Sequence, residues 1–183
     1  MALADTNRRR LYDRALDQYG YVTTGNAHDL GVPAVELRKI TQRGGVEHVA
    51  YGLYRFVDVP HTSRDQFMEA VLRVGPEAYL THDAVLALHE LGLVNPRRIR
   101  VGTPKRARPR LPEYIEVFQR QLNPDDLTIY EGIPCTTVAR ALIDCRGLVM
   151  GERLIDAAHE AARTGLLRKS EMSRIITELG VAA

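Results

Sequence analysis

Val35, Arg38, Lys39 and Gln42 are spaced to share one side of a helix at roughly 100° per residue, opposite the apolar Leu37 and Ile40. Their chemistry is hydrogen bonding rather than bond making. Arginine can pair with both acceptors on the edge of a guanine, glutamine can do the same to an adenine, and valine can touch a thymine methyl group. Arg43 near the helix end, Thr23 and Thr24 ahead of it, and His48 and Tyr51 beyond it are types that contact phosphates and fix register. Arg8, Arg9 and Arg10 can neutralise phosphates or enter a minor groove as an arm. The competing reading of Arg38, Lys39 and Gln42 is the solvated face of an amphipathic helix.

To act together, these residues need a helix pair and a hairpin. Leu11, Tyr12, Ala15, Leu16 and Tyr19 recur at helical spacing after Thr6, with Gly20 as a stop. Thr23 and Thr24 are alternative N-caps for a second helix that passes Ala27 and Leu30 and ends at Gly31. Pro33 opens a third helix running through Arg43, stopped by Gly44 and Gly45. Val46 to Val49 and Leu53 to Phe56 then predict two strands around Tyr51 and Gly52. The pattern predicts a winged helix-turn-helix DNA-binding domain over 1–58. Asp58 to Thr62, with Pro60, is the expected linker, and Ser63 with Gln66 has capping-box spacing.

The remaining residues, 63–183, predict a mixed α+β domain, so the fold class is α+β throughout. Thr81 is placed to cap a helix carrying Ala84, Val85, Leu88 and Leu91. Ile99 and Val101, then Ile115 and Val117, alternate as half-buried strands. Leu127 to Tyr130 and Ile133 to Cys135 flank Glu131 and Gly132 as two extended runs. Thr137 can cap a helix in which Arg140 and Asp144 have the spacing of a surface ion pair. Two helices close the chain, one carrying Leu154, Ile155 and Ala158, the other Ile175, Ile176 and Leu179.

Net charge is only +2, so any argument for an anionic partner rests on where charges sit. Arg97, Arg98, Arg100, Lys105, Arg106, Arg108 and Arg110 fall in one stretch without an acid, and Pro104, Pro109 and Pro112 disfavour a helix there. That stretch is expected to be an exposed loop and a second basic contact surface, with a simple solvated loop as the alternative. A 45% hydrophobic content over 183 residues argues against disorder. No apolar run approaches about 18 residues, and MALADTNRRR is charged where a signal peptide is apolar, so a cytoplasmic protein without a membrane partner is expected.

Catalytic chemistry finds little footing. His89–Glu90 and His159–Glu160 lack the second histidine of a zinc-protease helix, since Leu93 and Arg163 stand there. Cys135 and Cys145 form no metal-ligand pair, and neither a nucleophile elbow nor a phosphate-binding glycine loop is present. No enzyme activity, catalytic residue, metal or cofactor is expected.

The segments GYVTT, LGV, LRKI, RGG and GLYRF, followed by LTHDAVLALHELGL at Leu80 to Leu93 and GIPCTTVARALIDC at Gly132 to Cys145, resemble the AbiEi-type antitoxin and transcriptional regulator family. The resemblance spans most of the chain. It implies a DNA-binding winged helix that represses its own two-gene toxin–antitoxin operon, and a C-terminal domain needed for antitoxicity; the general symmetry of paired recognition helices adds the expectation of inverted repeats in the promoter. It also implies a nucleotidyltransferase-like toxin as functional partner, without a stable complex in the type IV scheme. Carried over by position, Arg38, Lys39, Gln42 and Arg43 become DNA contacts. Two other readings stand beside it: a metal-dependent DNA nuclease-related protein, because longer proteins of this organisation carry such a domain, and a direct toxin-binding module with secondary DNA binding.

Overall fold

The computed structural model describes residues 2–107 and 110–180. The chain folds into two compact units, Met1–Pro76 and Glu77–Ala183, both mixing helices with antiparallel or mixed sheet. Among the described residues no helix is long and apolar enough to cross a membrane.

The first unit runs α1 (Ala2–Leu16), β1 (Tyr21–Thr23), α2 (Thr24–Asp29), α3 (Ala34–Gln42), β2 (Val46–Ala50), β3 (Leu53–Phe56) and α4 (Asp65–Val74). The strands form an antiparallel sheet in the order β1-β3-β2. Its core takes Leu11 and Ala15 from α1, Val22 from β1, Ala27 from α2, Leu37 and Ile40 from α3, and Val46 and Phe56 from the hairpin. Tyr12 meets Phe56 edge-on at 5.2 Å. Because each element supplies only a few apolar residues, none buries its face alone; the helices and the hairpin fix one another.

Of the two alternative caps of α2, Thr23 is used: its hydroxyl accepts from the Asn26 N–H while the Asn26 side chain accepts from the Thr23 N–H. The start of α4 differs from the Ser63/Gln66 expectation. Asp65 accepts from both the N–H and the hydroxyl of Thr62, whose oxygen in turn receives the Arg64 N–H. These bonds stand one residue ahead of the expected pair, and Asp65 is also held by the buried Arg55, 3.2 Å away.

The boundary between units consequently falls at Pro76 and not at 58–62. Tyr21 donates to Glu69 at 2.8 Å and Arg73 donates to the Val49 carbonyl at 3.3 Å, so α4 is bonded to both outer strands of the first sheet. An arginine and an aspartate ten residues apart across a Pro60 segment leave no trace in local periodicity.

The second unit runs β4 (Tyr79–Leu80), α5 (Asp83–Leu88), β5 (Ile99–Thr103), β6 (Ile115–Gln119), β7 (Leu127–Tyr130), β8 (Ile133–Thr136), α6 (Val138–Asp144), α7 (Gly151–Arg163) and α8 (Lys169–Leu179). Its five strands are ordered β6-β5-β4-β8-β7, with β4 parallel to β8 and β5 parallel to β6. Leu80, Val101 and Cys135 share one face of the sheet; Tyr79, Gly102 and Phe118 share the other. Tyr79 lies across Gly102 so closely that a Cβ there would run into the tyrosine ring. Thr81 does not cap α5. His82 occupies that position, and Thr81 is buried.

Candidate functional site

On α3 the apolar periodicity sinks Leu37 and Ile40, and Glu36 and Lys39 pair across one turn at 2.8 Å. Val35, Arg38, Gln42 and Arg43 are exposed. Val35 is 53% accessible, a large value for a valine that no local packing explains. The four expected base-reading residues therefore lie on the outside of α3 as their spacing requires, but Lys39 is engaged by Glu36.

Val35 and Arg38 look across a cleft of about 420 Å³ at the hairpin, with Thr24, Ala34, His48, Tyr51, Gly52 and Tyr54 forming the rest of its lining. No carboxylate is among these lining residues. The His48 ring leans on Tyr54 at 5.1 Å, and Tyr51 at the hairpin tip is 86% exposed. The tip is tied to the base of α2: the Thr24 N–H donates to the Gly52 carbonyl at 2.9 Å. Gly52 has φ +69°, and a Cβ there would stand 2.9 Å from the Thr24 hydroxyl, so only glycine fits without displacing that side chain. The cleft combines a guanidinium, an imidazole, hydroxyls and two aromatic rings, a set suited to an anionic partner with hydrogen-bonding edges.

The expected backbone contacts divide. Thr24, His48 and Tyr51 line the cleft and Arg43 is exposed at the C-terminal end of α3, whereas the Thr23 hydroxyl serves as the α2 cap. Arg8, Arg9 and Arg10 form no extended arm, because they belong to α1. Arg8 lies over the Phe56 ring at 5.5 Å and 3.9 Å from Asp58, Arg9 bonds Asp13 at 3.3 Å, and Arg10 is exposed. The Tyr12–Phe56 packing one turn away makes the helical state of this segment profitable, which a count of arginines cannot reveal.

The basic stretch of the second unit is not a single surface. Arg100 lies within β5, its side chain inward between Asp83 at 2.5 Å and Glu116 at 3.2 Å. Arg97 and Arg98 precede β5 and Lys105 and Arg106 follow it, so the two exposed groups are separated by a strand about 17 Å long. Lys105 pairs with Glu77 at 2.5 Å and Arg110 is exposed; Arg108 lies outside the described residues. The alternation of Ile99 and Val101 was the signal that Arg100 faces away from the apolar side of its strand.

A polar cluster beside that strand went unread in the sequence. Thr81 donates to Asp144 at 3.3 Å, and Arg120 donates to Thr81 at 2.8 Å and to both carboxylate oxygens of Asp144. Arg140 adds bonds to Asp144 at 2.9 and 3.1 Å, so the pair expected at the surface is an inward one, with the aspartate side chain only 5% exposed. Burial alone would raise the Asp144 carboxyl, but the two guanidiniums outweigh it and hold the group below the ordinary range. His82 is strained at φ 55°, ψ −138° and stacks on Phe118 at 4.5 Å; burial keeps its imidazole below its usual pKa. Burial also pushes the Cys135 thiol to about 11 and the Cys145 thiol further up, so both are neutral thiols near pH 7. Among the described residues no group of three or more His, Cys, Asp or Glu side chains is arranged to hold a metal ion.

No family model matches the chain, and no curated protein matches it in sequence. Among solved structures it is similar to the RV2827C protein of Mycobacterium tuberculosis, with a TM-score of 0.40 and 14% identity over 97% of this chain and 83% of that one.

Proposed function

We propose that the first unit is a winged helix-turn-helix, with α3 entering the major groove of duplex DNA and the β2–β3 hairpin lying as a wing against the flanking backbone. The observation that carries the reading is the acid-free cleft in which Val35 and Arg38 face His48, Tyr51 and Tyr54. A solvated helix face needs neither an exposed valine nor an aromatic hairpin opposite it. In this reading Arg38 and Gln42 read base edges and Val35 touches a thymine methyl group, while Thr24, Arg43, His48 and Tyr51 hold phosphates or sugars. Lys39, neutralised in part by Glu36, is a lesser contact.

The same proposal assigns the chain, working in the cytoplasm, to the AbiEi-type antitoxins. It would repress its own operon by binding inverted repeats in the promoter, with a nucleotidyltransferase-like toxin as functional partner and the second unit serving neutralisation. The support for that assignment is the set of sequence segments above, and two of them frame the Thr81, Arg140 and Asp144 cluster of the second unit. Fluorescence anisotropy with the duplex upstream of the chain's own gene tests the DNA-binding part. Saturable binding that outcompetes random duplex and weakens steeply with salt is expected. Equal affinity for both duplexes removes the operator reading. Rescue of growth on co-expression with the adjacent gene tests the antitoxin part separately.

A further inference from the structure

The hairpin between β2 and β3 is irregular at one point. Register shifts between His48 and Ala50, so Val49 has no Cα partner on β3. Such a bulge leaves a residue out of the ladder and re-aims its neighbours, here His48 on one side and the Ala50–Tyr51 tip on the other. The Val49 carbonyl accepts from outside the hairpin, from the Arg73 guanidinium of α4 at 3.3 Å. Arg73 is itself oriented, since its Nε donates to Glu69 at 2.6 Å and Glu69 accepts from the Tyr21 hydroxyl at 2.8 Å. Both side chains of the pair are under 20% exposed, which removes much of the solvent competition that weakens surface ion pairs.

The tip is thus held from both flanks. The carbonyl before it accepts from Arg73 and the carbonyl after it, on Gly52, accepts from the Thr24 backbone. Only the first of these supports is a side chain.

We infer that Arg73 is a positioning residue for the wing: it touches no ligand, but by holding the bulged Val49 carbonyl it sets where Tyr51 and His48 meet the DNA. This rests on the winged-helix reading. α3 gains nothing from Arg73 directly, so its base contacts are outside the effect.

The test is a double-mutant cycle on a duplex recovered by the wild-type chain from a randomised library. Arg73→Ala is expected to weaken binding about tenfold in the wild-type background and less than about twofold when Tyr51→Ala is already present. Hydroxyl-radical protection is lost at the flanks of the site and kept at its centre, and Arg73→Lys, which keeps one donor, restores part of the affinity. Glu69→Gln, a milder change that loosens the hold on Arg73, gives a smaller loss with the same dependence on Tyr51. Without DNA, amide exchange at 48–52 quickens in Arg73→Ala. Equal losses in both Tyr51 backgrounds mean general destabilisation and overturn the inference, as does unchanged exchange at the tip. Failure of the wild-type chain to recover any duplex overturns the winged-helix reading beneath it, while the exchange measurement still decides whether Arg73 holds the tip.

Discussion

Arg38 in the first unit and Arg120 in the second are the same residue in opposite circumstances. Arg38 lines a cleft to which no carboxylate contributes. Arg120 shares the side chain of Asp144 with Arg140, and Arg100 nearby is enclosed by Asp83 and Glu116. The denser concentration of arginine is therefore the one with less positive charge to offer. A surface for an anionic partner is marked by where cations lack internal acids, and only secondarily by how many there are.

The strongest way to break this contrast is to remove the acid. Asp144→Ala leaves two guanidiniums facing each other without a counter-charge and is expected to lower stability by about 3 kcal/mol, read from urea denaturation. That is the lower end for a severed inward pair, because Arg120 and Arg140 keep 26% and 31% exposure. Arg38→Ala reverses the pattern. Its unfolding free energy in urea stays within about 0.5 kcal/mol of wild type, whereas its affinity for the selected duplex falls by about 1–3 kcal/mol at particular base pairs. A loss of stability without a loss of affinity would erase the distinction.

Acidification probes the same acids together. His82 in the folded chain resists a proton that the unfolded chain accepts below about 6.5, and Asp144 and Asp65 resist one that the unfolded chain accepts near 4. In each case the unfolded state binds more protons, so stability present at neutral pH declines as pH falls, first through the imidazole range and then through the carboxyl range. Urea midpoints followed from neutral pH to about 3 should show both stages, and the His82→Gln chain should lack the first. A midpoint that rises on acidification would contradict the burial of His82 and the ion pairs and hydrogen bonds that hold Asp144 and Asp65 ionised. The smallest effect is expected at Lys39→Ala, about 0.5 kcal/mol or less in affinity, because Glu36 already partners that ammonium. An effect as large as that of Arg38→Ala would show that an exposed internal partner does not silence a cation.

The sequence disclosed the elements around the cleft because glycine, proline and threonine punctuate them: Thr23 caps α2, Pro33 precedes α3, and Gly52 admits the turn. Alternation located β5 and β6, and short extended runs on either side of Tyr51–Gly52 and Glu131–Gly132 located the hairpin, β7 and β8. Neither signal disclosed β1 or β4, three and two residues long, whose strand geometry comes from Arg55 and Val101 opposite them. Nor could spacing tell that Asp144 points inward, since i and i+4 adjacency to Arg140 is the same on either side of a helix. The partners that settle it, Thr81 and Arg120, are 63 and 24 residues away. Contacts of that range are created by the sheet order, and no local pattern encodes them.

The bonds from α4 also decide where this chain can be cut. A fragment ending at 62 would strip Arg55 of Asp65, Tyr21 of Glu69 and the Val49 carbonyl of Arg73 in a single step. A fragment ending at Pro76 keeps all three. Pro60, the most conspicuous breaker between the two readable halves, is thus a poor place for a protease site, a fusion joint or a truncation, and the dipeptide Gly75–Pro76 is the better one.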